Sequence, residues 1–348
     1  MKTRVCRLYD QNDIRVETET VAEPARGEVR VAVGAGGICG SDLHYYLDGG
    51  FGPIRVREPI ILGHEAAGTV EAVGPGVEGL SPGDRVAINP SQPCGHCSYC
   101  AEGLFIHCLN MRFQGSAMRV PHQQGLFRDL IVLNSDQCLK VSDRVSPREL
   151  ACSEPLAVGI HAVKRAGEIS GKRVLVTGAG PIGSLCVAAI RRAGAADIVV
   201  TDLHAATLNA AARMGANRTI NMAEEPDGLD AYAADKGTFD VVFECSASPV
   251  AIKGAMTALR PRGRFVQLGV AGDLEVPLNV LVGKEITVIG THRFHGEFAE
   301  AVRAIESGMI EVRPVVTHSF PVENAKEAFA YASDRSRAVK VQLTFAEG

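Results

Sequence analysis

Residues 173–183 read RVLVTGAGPIG. RVLVTG is a short apolar run with the character of a strand, and PIGSLCVAAIRRAGA continues as a helix that opens at Gly-Pro and stops at Gly. Between them Gly178, Gly180 and Gly183 fall in the spacing G-x-G-x-x-G. Alone the spacing says little. After a strand and before a helix it describes a phosphate-binding turn. Gly178 permits the tight turn, Gly180 lets the backbone approach a pyrophosphate, and Gly183 lets helix and strand pack closely. The helix opened by Pro181 and Ile182 offers free N–H groups to the phosphates. The next strand, IVVTD, ends at Asp202, with Leu203 following. A carboxylate there can accept both ribose hydroxyls and repels a 2′-phosphate, which favours NAD. NADP stays open, because Arg213 and His204 lie further along the same unit.

Outward from this turn the same rhythm repeats. HAATLNAAARMGA, FDVVFECS, SPVAIKGAMTALRP, GRFVQLG and EITVIGT alternate helix and strand. That alternation predicts an α/β unit with a doubly wound parallel sheet covered on both faces. Residues before about 150 read differently. VRVAVGA, AAGTVEAVG and DRVAINP are short alternating runs between Gly and Pro turns, the pattern of a β-rich barrel or sandwich. After about 290, FAEAVRAIESGMI reads as an amphipathic helix and AVKVQLTF as a closing strand. The expected organisation is a β-rich domain over 1–154, rejoined by 291–348, with the dinucleotide unit at 155–290.

The 348 residues are enough for two domains, and the formal net charge is −4 with no long basic run. That argues against nucleic acid or an anionic membrane as a main partner. No apolar stretch reaches spanning length, and the N-terminus lacks a signal-peptide core, so the expectation is a soluble cytoplasmic protein. Of ten cysteines, four crowd into CGHCSYCAEGLFIHC. In a reducing compartment such a cluster binds metal more often than it pairs. Cys94, Cys97, Cys100 and Cys108 are spaced C-x2-C-x2-C-x7-C. Four thiolates fill a tetrahedral zinc and leave no open position, so this is a structural site, with His96 and His107 not needed.

The other chemistry-bearing residues are scattered. GICGSDLHYY carries Cys39, LGHEAAG carries His64 and Glu65, and SEPLAVGIHA carries Glu154. Each alone is equally a buried thiol, a core histidine or an ion-paired acid. Together with the cysteine lobe and GAGPIG, these segments resemble the zinc-dependent medium-chain alcohol dehydrogenase family, in its polyol, sorbitol dehydrogenase-like branch. The resemblance runs from near residue 1 to the last strand. It implies a GroES-like catalytic domain beside a Rossmann domain, two zincs per chain, an NAD cofactor, and a homodimer or homotetramer.

The resemblance also implies roles. Cys39 and His64 are zinc ligands. The third is Glu65 or Glu154, the other lying beside the metal, with Cys152 a packing thiol. Asp42 orients His64, and Ser41 and His44 relay a proton to solvent. Tyr45, Arg112, Phe113, Arg293 and Phe294 face the substrate, with an arginine gripping a carboxylate. The implied reaction interconverts a sugar acid or polyol secondary alcohol and its ketone, L-idonate and 5-dehydro-D-gluconate first among the pairs. Sorbitol, xylitol or threonine oxidation is the alternative. A zinc- and NAD-binding protein without catalysis is the alternative from another class.

Overall fold

A computed structural model of the protein describes residues 1–270 and 272–345. Residues 346–348, the end of the expected rejoining segment, lie outside the described residues. Six parallel strands form the sheet around the glycine turn. Their spatial order is Arg218–Asn221, Asp197–Asp202, Arg173–Thr177, Phe239–Glu244, Leu259–Gln267 and Thr287–Gly290. Chain order therefore reverses between Arg173–Thr177 and Phe239–Glu244, where such sheets open a crevice for ligands.

Side-chain alternation covers both faces of this sheet. Val174, Val176, Val200, Val241 and Phe243 pack to one side with helices Ser153–Ala166, Pro181–Arg192 and Glu297–Glu306. Leu175, Val199, Val242 and Phe265 pack to the other with helix Pro249–Ala258. Strands buried on both faces lack polar positions, and this produces runs such as RVLVT. Helix Pro181–Arg192 begins as read, with Gly180 as its N-cap and Pro181 at its first position. A Cβ on Gly183 would sit 1.8 Å from the Gly178 carbonyl oxygen, so helix and turn approach this closely only with glycine there.

Two larger sheets, one seven-stranded and one three-stranded, make up most of the β-rich part, with two short two-stranded pairs beside them. Strand Glu28–Gly37 pairs with Glu65–Val73, with Leu130–Asn134 and with the C-terminal strand Lys340–Thr344. The two sheets share a core that includes Val31, Phe127 and Phe329. Two helices that the alternating pattern did not announce matter for the site. Gly40–Asp48 leaves the end of Glu28–Gly37, and Ser153–Ala166 packs on both Pro181–Arg192 and Glu297–Glu306.

Candidate active site

Cys39 is the N-cap of helix Gly40–Asp48, in extended conformation (φ −89°, ψ 161°). Its backbone N–H donates to Asp42 Oδ2 at 2.9 Å. Asp42 has no exposed surface, accepts from the Gly63 N–H at 3.3 Å, and faces His64 Nδ1 at 3.7 Å. One carboxylate thus ties the Cys39 segment to the His64 segment. Strand pairing brings Glu65 alongside, opposite Gly37. A Cβ on Gly37 would come within 2.1 Å of Glu65 Oε2, so the glycine makes room for the carboxylate. The ligand atoms of Cys39, His64 and Glu65 all lie within 4.8 Å of one another. A thiolate, an imidazole and a carboxylate this close suit zinc and leave one position open. Burial works against charge on His64, but Asp42, Cys39 and Glu154 outweigh it and raise the imidazole to about 10.

Glu65 has a partner that the sequence did not suggest. Lys340 Nζ donates to its two oxygens at 2.8 and 2.7 Å and to the Ile38 carbonyl at 3.1 Å. Both side chains are almost fully buried, at 2% and 1% exposure. A trace of this was visible as a lysine inside the apolar run AVKVQLTF. Glu154, in the first turn of Ser153–Ala166, lies outside the compact ligand set but faces the same space. Burial holds its carboxyl up at about 7 and Glu65 adds to this, against the pull of His64, Lys340 and Arg293. Cys152 is 1% exposed, its thiol near the Arg148 carbonyl and Gln342, as a packing thiol would be.

Around this centre the expected substrate residues divide. The Arg293 guanidinium lies over the Phe113 ring at 4.0 Å, with Met118 Sδ at 3.0 Å, and Phe113 stands 5.6 Å from the His64 ring. Burial lowers the Arg293 guanidinium, while Glu154 and Tyr45 pull it back, so all three groups converge. Tyr45 is buried and accepts from the Ala117 N–H at 3.3 Å. Arg112 does not join them. It precedes Phe113 on a two-residue strand, is exposed, and by strand alternation points away from the face where Phe113 meets His64. Phe294 is likewise absent from the cleft: at 1% exposure it stacks on Phe298 in the core. Ser41 and His44 share one face of helix Gly40–Asp48. His44 is about half exposed and its Nδ1 pairs with Asp48 at 2.9 Å. Tyr46 packs on Phe329 and belongs to the core.

The four lobe thiols also lie within 4.8 Å of one another. Backbone N–H groups of Cys94 and Asn110 point at Cys108 Sγ at 3.1 and 3.3 Å. The His96 amide lowers the Cys94 thiol to about 6, and the Cys100 amide lowers Cys97. Burial instead pushes Cys100 up to about 12. A divalent metal is what would hold all four as thiolates, so the donor set fits zinc.

Residues 25–143 match the alcohol dehydrogenase GroES-like domain, and residues 181–307 match the zinc-binding dehydrogenase domain. The chain belongs to the zinc-dependent medium-chain alcohol dehydrogenases. This dehydrogenase is 40% identical over 346 residues to L-idonate 5-dehydrogenase (NAD(P)(+)) of Escherichia coli, covering 99% of each chain. The crystal structure of L-idonate 5-dehydrogenase from that species superposes with a TM-score of 0.95, again over 99% of each chain. Sorbitol dehydrogenase of Bacillus subtilis is 35% identical over 97% of this chain and 95% of its own.

In this dehydrogenase the glycine turn and Asp202, read from the sequence as dinucleotide elements, lie at the sheet crevice. Asp202 Oδ2 accepts from the Ala179 N–H at 2.6 Å, and Oδ1 from Leu203 and His204 at 2.7 and 3.0 Å. A carboxylate offers about four lone-pair sites, so about one is left for ribose where two hydroxyls were expected. Leu203 is exposed beside it. Arg213 ends the nine-residue helix Ala205–Arg213, about 12 Å along the helix axis from its first residue, and its charge is felt by Glu311. Arg335 went unnoticed in the sequence, where nothing distinguishes it from other surface arginines. Its guanidinium sits 3.4 Å from where a Cβ on Gly180 would be, over the phosphate turn. Among the described residues no helix is long and apolar enough to cross a membrane.

Proposed function

We propose that this dehydrogenase interconverts a sugar-acid secondary alcohol and its ketone with NAD, the pair being L-idonate and 5-dehydro-D-gluconate. The observation that carries the sugar-acid reading is Arg293. A half-buried guanidinium lies over Phe113, beside His64 and near Glu154. It offers a planar double donor to a substrate carboxylate at the edge of the metal centre. Identity to a protein named for L-idonate supports the same substrate. NAD is preferred because Asp202 keeps acceptor capacity where a 2′-phosphate would fall.

Cys39, His64 and Glu65 hold the catalytic zinc, with Glu154 beside it. Asp42 faces His64 Nδ1 and leaves Nε2 for the metal. Zinc, when bound, would supply a Lewis acid for the substrate hydroxyl, and NAD would supply the hydride acceptor. Ser41 and His44 carry the released proton outward. Asp48 holds His44 Nδ1, so Nε2 is free to exchange with water. Tyr45 and Arg293 orient the substrate. Gly178, Gly180, Pro181, Ile182 and Gly183 cradle the pyrophosphate, and Asp202 and Leu203 take the adenosine side. Cys94, Cys97, Cys100 and Cys108 hold a second, structural zinc.

The domain limits we assign are 1–154 with 291–348, and 155–290. We assign a cytoplasmic location, supported by ten free cysteines, and a homo-oligomeric state, a dimer or tetramer. Neutral polyols such as sorbitol are the second reading, favoured by the sorbitol dehydrogenase relatives. Initial rates with L-idonate, sorbitol and L-threonine, on a sample assayed for zinc, decide among them. The expected result is two zincs and fastest turnover of L-idonate, falling about 10–100-fold in Arg293→Ala. One zinc without dehydrogenase activity overturns the proposal, and equal rates on sorbitol favour the second reading.

A further inference from the structure

Strand Phe239–Glu244 ends on a glutamate with no exposed surface. Its partners are all neutral. Oε1 accepts from the Ser246 N–H at 2.8 Å, the Ala247 N–H at 2.9 Å, the Thr177 hydroxyl at 3.3 Å and the Ser246 hydroxyl. Oε2 accepts from the Ala247 N–H at 3.0 Å and from Gln267 Nε2 at 2.6 Å. Burying a carboxylate among neutral donors is costly, and a hydrophobic residue would fill the space more cheaply. A side chain in this position is explained by what it organises.

What it organises is a turn at the crevice. The Ser246 and Ala247 amides both point at the carboxylate, and Ala247 sits at φ +54°, a conformation that alanine avoids without such ties. The turn is wedged between two glycines. A Cβ on Gly178 would meet the Ser246 nitrogen at 2.8 Å, and one on Gly269 would meet the Ala247 nitrogen at 2.6 Å. The Glu244 carbonyl also accepts from the Leu268 and Gly269 N–H groups at 2.9 and 2.8 Å. Glu244 and Thr177 are the last residues of the two strands between which chain order reverses. Asp202 ends the strand on the other side of Thr177. The carboxylate therefore fixes the crevice floor on the side away from the adenosine end.

We propose that Glu244 is a positioning residue for the nicotinamide half of the dinucleotide. It acts through the turn Ser246–Ala247 and through Gly269, without touching the cofactor. This rests on the dinucleotide site proposed above. In Glu244→Gln an amide –NH2 replaces one acceptor and faces donors. NADH affinity, read by fluorescence titration, is expected to fall about tenfold, while AMP, which reports the adenosine half alone, stays within about twofold. Gln267→Leu removes the amide that donates to Glu244 Oε2 at 2.6 Å and to the Gly269 carbonyl at 2.7 Å, leaves the carboxylate in place, and should weaken NADH about threefold, AMP again unchanged. Zinc content should be that of the parent in both. NADH affinity unchanged in Gln267→Leu, or NADH and AMP weakened together in that variant, overturns the proposal. A parent protein that binds no NADH at all instead overturns the dinucleotide reading beneath it.

Discussion

Lys340 and Glu65 bury opposite charges against each other, and neither has water to fall back on. Removing one partner leaves the other charge stranded, at about 3–5 kcal/mol. Lys340→Met should therefore destabilise the metal-free protein by that order in chemical denaturation, and adding Glu65→Gln should restore much of it. A loss below about 1 kcal/mol would mean that the pair is not coupled in this way. Glu154 makes a pH-dependent prediction. Its ordinary value is 4.5, and burial raises it to about 7 in the folded chain. Between these values the folded state holds a proton that the unfolded state has released, so stability falls as pH rises through that window. In chelator-treated protein, urea denaturation at pH 5 and pH 8 should show this fall. Glu154→Gln should remove about 3 kcal/mol of it. Arg112 and Phe294, the two expected substrate residues that lie away from this centre, do so for one reason. Each adjoins a residue in the site, and neighbours in the chain present their side chains in different directions.

The four-cysteine lobe is an element without a core of its own. Among the described residues, Met111, Phe113 and Phe105 join its thiols in one small cluster. Metal binding would replace the hydrophobic core that so short a segment cannot build. Cys100→Ser is therefore expected to lower zinc content by one equivalent and to reduce thermal stability. Hydride transfer should persist in the fraction that stays folded. Loss of turnover at full stability and full zinc content would overturn the structural role. The lobe was legible because its ligands are close in sequence and their spacing alone sets the geometry. Helix Gly40–Asp48 was not. Its nine residues carry Ser41, Asp42 and His44 and are capped by Cys39, yet glycines and a short length hide it inside a β-rich pattern.

For the whole molecule, the strand Thr287–Gly290 is one of the two edges of the six-stranded sheet, the other being Arg218–Asn221. It exposes Val288 at 49%, and the preceding helix Leu278–Gly283 exposes Leu278 and Val282 at 66% and 71%. An unpaired apolar edge invites a second copy of the chain. Val288→Lys should shift the proposed homo-oligomer toward monomer in light scattering while leaving zinc content unchanged, and an unaltered mass would locate the interface elsewhere. The chain's local order determined the parallel sheet, the glycine turn with Asp202, and the cysteine lobe, because periodicity, a tight turn and close ligand spacing act over a few residues. The candidate metal centre was decided by tertiary structure. Strand pairing brings Glu65 and Lys340 together beside Gly37, while Glu154 arrives on helix Ser153–Ala166 and Arg293 on the loop before helix Glu297–Glu306. The partnership of Lys340 with Glu65 spans 275 positions. Buried charges find partners by where strands pack, and no local pattern encodes which strand will lie beside which.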